Sequence, residues 1–379
     1  MKEGLLRFEF YLNQLETLLT AAANEPNPAL WLFRNNARTP LFMLEGLAKL
    51  YGSILKNKKL EKIKERFKLL EDALGAIDYY DAFAKQLATN PAVPSTVVRY
   101  LENKTTEKTL LLNHILLSEK WLGNKNTRLK KTWDKLAGIN WPDAKKEPAL
   151  VADFYDASIE EAKVLMLSAA KGFTELETEV HTLRRKLRWL SIYPQAMQGM
   201  LQLTDSKPEQ ASLGSYLSPE IVNSPFNKMP DVAGNNYFLM LEKNYFLALS
   251  WMIAELGKIK DDGLQVFAVG EALQELEGQD IQTAAANAAT MLGKPAGYMQ
   301  SLLQRASELT NKFFIEHNLD QLLHGTAAEA LKEKEDPKKE KPGKKNGKKE
   351  NPDKEKPGKK KSKKDKSKKK KPSPDLTAN

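Results

Sequence analysis

Five ionisable side chains that can carry positive charge crowd into the eleven residues from Val180 to Leu190: His181, Arg184, Arg185, Lys186 and Arg188. On a helix, positions i, i+3, i+4 and i+7 share a face, so His181, Arg184, Arg185 and Arg188 are expected to form one basic stripe about two turns long. Leu183, Leu187 and Leu190 mark the opposite, packed face. Like charges stacked this way repel by a few tenths of a kcal/mol per pair, and no carboxylate stands at i+4 within the segment to relieve them. An external anion would. The arginine fork holds phosphate oxygens bidentately, and a histidine donating to the same anion gains charge as it does so. The plainer alternative is a solvated face whose long stems lie over apolar neighbours.

A weaker copy of the segment lies in the first half of the chain. Setting Asn35–Leu44 on His181–Leu190 matches Arg38 with Arg184, Leu41 with Leu187 and Leu44 with Leu190, while Asn35 stands for His181 and Phe42 for Arg188. Further along, Leu74-Gly75-Ala76-Ile77 matches Leu256-Gly257-Lys258-Ile259, with Leu70 and Met252 at equivalent positions one turn earlier. Glycine inside a helix costs about 1 kcal/mol relative to alanine, so its use at the same place twice points to close helix approach. Coincidence between two leucine-rich helices is the competing explanation.

These residues resemble the CHAD family, in which each of two helical half-repeats carries a His-x-x-Arg-x-x-x-Arg/Lys helix and a later helix ending in Leu-Gly-x-x-x-Asp. His181, Arg184 and Arg188 match the first element, and Leu256, Gly257 and Asp261 the second. In the first half Leu74 and Gly75 fit, but Tyr79 occupies the acidic position with Asp78 one residue early, and Asn35 occupies the histidine position. The resemblance implies binding of inorganic polyphosphate on a basic surface between the halves, without chemistry performed on it. Arg185, Lys186, Arg38, Lys62, Arg66 and Lys260 are added as candidate anion contacts, and Asp261 as a carboxylate that fixes one guanidinium by a charge-assisted hydrogen bond. The residues alone do not separate polyphosphate from nucleic acid.

The elements that must hold these side chains are helical. Before residue 331 the apolar spacing follows 3.6 with few β-branched clusters, which predicts an all-α body. Helices are expected over about 4–23, 29–55, 59–87 and 94–121, then 148–172, 175–203, 236–259, 279–292 and 296–324. Pro40 can be accommodated if a helix restarts near Thr39. The order reads as two pseudo-repeated four-helix bundles, 1–123 and 148–326, joined by a polar connector at 124–147. Thr204–Gly234, rich in Pro, Gly, Asn and Ser, is expected to loop out over the surface.

Charge divides the chain sharply. Lys332–Asn379 carries 21 lysines against 9 acidic residues, whereas the whole chain is only +10, so the preceding residues are close to neutral. Any anion site in the body must therefore be a local cluster. Residues 327–379 read as a disordered tail, since almost nothing apolar offsets the entropy of ordering them. Lys332–Lys371 would bind a polyanion, nucleic acid included, by charge without reading sequence. The absence of cysteine excludes disulfides, thiolate metal sites and cysteine nucleophiles, and fits a reducing, cytoplasmic setting. Neither a signal peptide nor a membrane span is expected. There is no Walker-type loop and no His-Glu-x-x-His helix. His114, His181, His317 and His324 are scattered, although the last two would share a face of one helix. Ser191 has no general base at local spacing, and the Asp261-Asp262 pair is a weak magnesium signal. The chain reads as non-enzymatic, with no cofactor, and a helical scaffold for protein partners is the remaining alternative.

Overall fold

Twelve α-helices order the described residues, which in this computed structural model are 3–123, 127–204, 211–232 and 235–326. They are α1 (Glu3–Ala22), α2 (Pro28–Arg34), α3 (Arg38–Ile54), α4 (Lys58–Leu87), α5 (Ser95–Ser118) and α6 (Thr127–Ala137), followed by α7 (Glu147–Ala169), α8 (Thr182–Ala196), α9 (Pro219–Val222), α10 (Lys243–Glu277), α11 (Ile281–Met291) and α12 (Tyr298–Ile315). The all-α expectation holds. The lysine-rich tail expected from residue 327 onward lies outside the described residues.

Local chemistry sets several boundaries. Asn27 accepts from the Leu30 amide with Pro28 at the first helical position, and Asn57 accepts from the Lys59 amide, so α2 and α4 start where a side chain satisfies an orphan donor. Asp280 does the same for α11, and Gly278, at φ +68°, closes α10 in a conformation suited to glycine. The helix expected over 29–55 is broken at Asn36, whose φ of +55° is left-handed, and Pro40 falls in the first turn of α3. The helix expected to end at Ile259 instead runs on to Glu277.

Three short strands, not expected from the sequence, add a small sheet: β1 (Leu201–Leu203), β2 (Leu239–Leu241) and β3 (Leu323–Thr326). β2 lies centrally, parallel to β1 and antiparallel to β3. Leucine-rich runs of three or four residues are too short to show a period of two. Because β3 occupies the end of the helix expected over 296–324, His317 and His324 do not share a helical face. His317, itself left-handed at φ +55°, pairs with Asp320 just after α12, and His324 stands in β3, 3.8 Å from Glu242. No helix among the described residues is long and apolar enough to cross a membrane.

The described residues, 3–326, belong to one compact unit. A continuous apolar core joins Phe8 and Leu12 of α1, Leu44 and Leu47 of α3, Phe67 of α4, Leu187 and Leu190 of α8 and Leu256 of α10. The segment at 124–147, expected as a polar connector, contributes Leu129, Leu136, Ile139 and Trp141 to this core. It ends at Glu147, which belongs to a buried polar network. Arg7 donates to Glu147 at 2.8 Å, Tyr51 donates to the same carboxylate oxygen at 2.5 Å, Arg7 also contacts the Tyr51 hydroxyl, and its Nε donates to the Met197 carbonyl at 2.9 Å. The side chains of Arg7 and Glu147 are 4% and 2% exposed. Breaking one partner leaves the other charge buried alone. Arg7→Met should therefore lower unfolding free energy by about 3–5 kcal/mol, whereas Arg7→Met combined with Glu147→Leu should recover most of that loss. Urea denaturation of the single and double variants measures both.

Candidate anion-binding cleft

The cleft depends on how closely α3 approaches α8. A methyl group at Gly46 of α3 would stand 3.1 Å from the Trp189 ring, so the glycine lets the indole lie against the α3 backbone. Phe42 then stacks on Trp189 with centroids 4.7 Å apart and planes 5° from parallel. α8 also carries Pro194, which cannot donate to the carbonyl of Leu190. The buried hydroxyl of Tyr155 on α7 fills that place at 2.9 Å. The end of α8 is held by α1, where Tyr11 donates to the Gln195 carbonyl at 2.8 Å and Arg7 to that of Met197. Before α8, Leu176–His181 forms a single π-helical turn.

On this frame two arginines sit over two glycines. The Arg184 guanidinium covers Gly257 of α10, where an added Cβ would lie 3.1 Å from Nε and Nη2, and Arg184 Nε donates to the Ile253 carbonyl at 3.2 Å. Arg38 covers Gly75 of α4, where the corresponding distance to Nη2 is 2.9 Å. Arg38 is paired with carboxylates, Nε with Glu71 at 2.7 Å and Nη1 with Asp78 at 3.1 Å. The glycines that interrupt the two leucine seams are thus seats for arginine.

Arg184, Arg38 and Arg188 converge on a cleft of about 640 Å³, with Phe42, Met43, Ile192 and Ile253 among its apolar wall residues. Arg188 lies over the face of Phe42, 4.6 Å from the ring centroid, a cation–π contact. Among the described residues its guanidinium has no hydrogen-bond or ion-pair partner. Burial and then the charges of Arg184 and Arg38 push it down to about 10, with Glu71 opposing. The group remains charged at neutral pH, and it is the cation of the cleft with the most to gain from an anion.

The remaining expected residues do not join this stripe. Arg185 is exposed beside the cleft, close enough to act on Glu45. Lys186 turns to α7 and pairs with Glu161. His181 is held by Glu177, one turn earlier, at 2.8 Å, so the segment supplies its own carboxylate there. Asp261 pairs with Lys260 at 2.6 Å, and it does not accept the hydrogen bond expected from a guanidinium. Its carboxylate is largely exposed, Arg184 Nε is already engaged by the Ile253 carbonyl, and Asp261 acts on Arg184 only through its field. The reverse holds in the first half, where Asp78, one position early, does bind Arg38, and Tyr79 packs against Tyr80 and Phe83. Lys62 and Arg66 lie elsewhere on α4, next to α6. Among the described residues no group of three or more His, Asp or Glu is placed to hold a metal.

Two features, one in the cleft wall and one behind it, were not expected. The described part of the segment read as a surface loop, 211–232, places Glu220, Ile221, Ser224, Phe226 and Asn227 in the cleft wall, with Tyr216 packed between Trp251 and Phe313. The apolar residues Leu213, Tyr216, Ile221 and Phe226 within that polar stretch were the available signal. The second is Glu45, which is 4% exposed between α3, α4 and α8. Burial pushes its carboxyl up to about 7, with Glu71 and Asp72 adding and Lys68 and Arg185 opposing. A carboxyl that holds its proton more tightly when folded contributes stability below its unfolded value and loses it as pH rises through about 7. Glu45→Gln should leave the urea midpoint little changed near pH 4.5 and raise it at pH 8. A difference between variant and parent that does not vary with pH would contradict that assignment.

No family model, curated protein or solved structure matches this chain.

Proposed function

We propose that this protein binds inorganic polyphosphate non-enzymatically in the cleft between α3 and α8. The observation that carries the reading is Arg188, a part-buried guanidinium stacked on Phe42, flanked by Arg184 and Arg38, and without an anionic partner of its own. Repulsion of Arg188 by its neighbouring guanidinium groups, Arg184 above all, is relieved by a ligand that brings several negative oxygens at once, and planar forks suit phosphate oxygens at short spacing. The CHAD resemblance points to the same ligand. The matched seating of Arg184 on Gly257 and Arg38 on Gly75 supports reading the two halves as a repeat. Arg184 and Arg188 are the direct contacts. Arg38 is already neutralised by Glu71 and Asp78, and contributes mainly by shaping the cleft floor. The lysine-rich sequence beyond residue 331 would add affinity by tethering a second binding element to the same chain. The lack of cysteine supports a cytoplasmic setting for this binding.

A second reading rests on Phe226, which is 81% exposed at the cleft wall. An organic phosphate with an aromatic body would use that ring, whereas a bare phosphate chain would not.

Binding of long-chain polyphosphate, a nucleoside triphosphate and duplex DNA to the full chain and to a chain ending at Glu335 separates these readings. Arg188→Met keeps the stem over Phe42 and removes the charge. It should weaken polyphosphate binding to the shorter chain by about 10-fold or more, the worth of a charge-assisted hydrogen bond of about 1.5–3 kcal/mol. Equal binding of all three ligands, unchanged by Arg188→Met, would sink the proposal. Loss of nucleotide binding in Phe226→Ala, with polyphosphate binding weak throughout, would favour the second reading. Duplex DNA bound only by the full chain would assign nucleic acid to the segment beyond Glu335, with the steeper salt dependence expected of phosphate contacts.

A further inference from the structure

The sequence offers Lys62 and Arg66 as contacts alongside the α8 arginines, but they face another way. The α4 side chains that meet Arg38 are Glu71 and Asp78. Arg66 precedes Glu71 by five residues, which turns it about 140° around the helix axis. On that side the charge of Arg66 is within reach of Arg128 on α6, an eleven-residue helix that buries Leu129, Thr132 and Leu136. Arg128, Lys131 and Lys135, at i, i+3 and i+7, run along its flank. The Lys135 ammonium is pushed down by burial and then by Arg66, Arg128, Lys62 and Lys131, so all five cations act on one region. The carboxylates acting on Arg66 are Glu119 and Glu65, and Glu119 is already taken by Arg128 at 2.6 Å. A separate, geometric observation concerns Arg66 itself. Arg66 Nη1 is buried without any hydrogen-bond partner, although the residue as a whole is part-exposed. A charged donor left unpaired in this way is costly, and an anionic oxygen reaching it would complete its hydrogen bonding.

We propose that the α4–α6 junction is a second oligophosphate-binding site, separate from the α3–α8 cleft, with Arg66 and Lys135 as its central contacts and Lys62, Arg128 and Lys131 around them. The choice of ligand rests on the polyphosphate reading of the cleft, while the existence of the site rests on its own residues. Two such sites on one unit make a long chain a bivalent ligand, so affinity should rise with chain length beyond what either site provides.

The full chain is titrated with tripolyphosphate while backbone amides of α6 (Thr127–Ala137) and α8 (Thr182–Ala196) are followed by NMR. Both sets should shift. Arg66→Met with Lys135→Met should weaken the α6 response at least ten-fold and leave that of α8 unchanged, which also shows that the variant is folded. Arg188→Met should do the reverse. An α6 response that is absent, that survives the double substitution, or that disappears together with the α8 response on either substitution overturns the second site. A silent α8 beside a responsive, separately lost α6 leaves the second site standing and removes the cleft reading instead.

Discussion

The placement of α8 depends on a charge that has been taken out of water. Arg7 is buried on α1 and compensated by Glu147 at the start of α7, by Tyr51 of α3 and by the carbonyl of Met197 just beyond α8. One guanidinium thus fixes the relative positions of three helices and the terminus of a fourth. A buried ion pair adds little net stability compared with well-packed apolar side chains, but it penalises any arrangement in which one partner is missing. The pairing joins residues 140 positions apart, so a shift of α1 against α7 would strand both charges. The arginines of α8 can point into a cleft because the far end of their helix is held in this way.

Around that anchor, the irregularities of α8 are each compensated by a neighbour. Pro194 would leave a buried carbonyl without a donor, and Tyr155 supplies one. The π turn at Leu176–His181 inserts an extra residue where the chain enters the helix, and Leu176 packs against Gly263 of α10 so closely that a side chain there would collide. π turns inside helices are often found beside functional sites. Here the turn joins α8 directly ahead of Arg184 and Arg188.

Most of the scaffold was legible in the sequence because burial of one helical face leaves a period that can be read without knowing what is buried against it. On α4, Ile63, Phe67, Leu70, Leu74 and Ile77 fall 4, 3, 4 and 3 residues apart and are all buried. Arg184, Arg188 and Arg38 were legible by type and spacing, and the glycines beneath two of them by their cost in a helix. What was not legible is the identity of each partner across helices. Nothing local distinguishes Lys186, which meets Glu161, from Arg188, which meets Phe42. Nor does α4 alone reveal that Arg66 and Glu71, five residues apart, serve different surfaces. The wall around Phe226 was hidden for another reason. A segment rich in Pro, Gly and Ser has no periodicity, yet a few apolar side chains suffice to pin it down.

The glycines under Arg38 and Arg184 have a thermodynamic consequence. A long arginine stem normally loses rotamer freedom when it grips a ligand, and that loss subtracts from affinity. With the guanidinium laid flat on bare helix backbone, much of the freedom is already gone when the chain folds, and the entropic cost falls on folding instead of on association. Under the proposed reading, Gly257 would then tune affinity for an anion through the number of conformations left to Arg184, while Gly75 would hold Arg38 in the cleft floor.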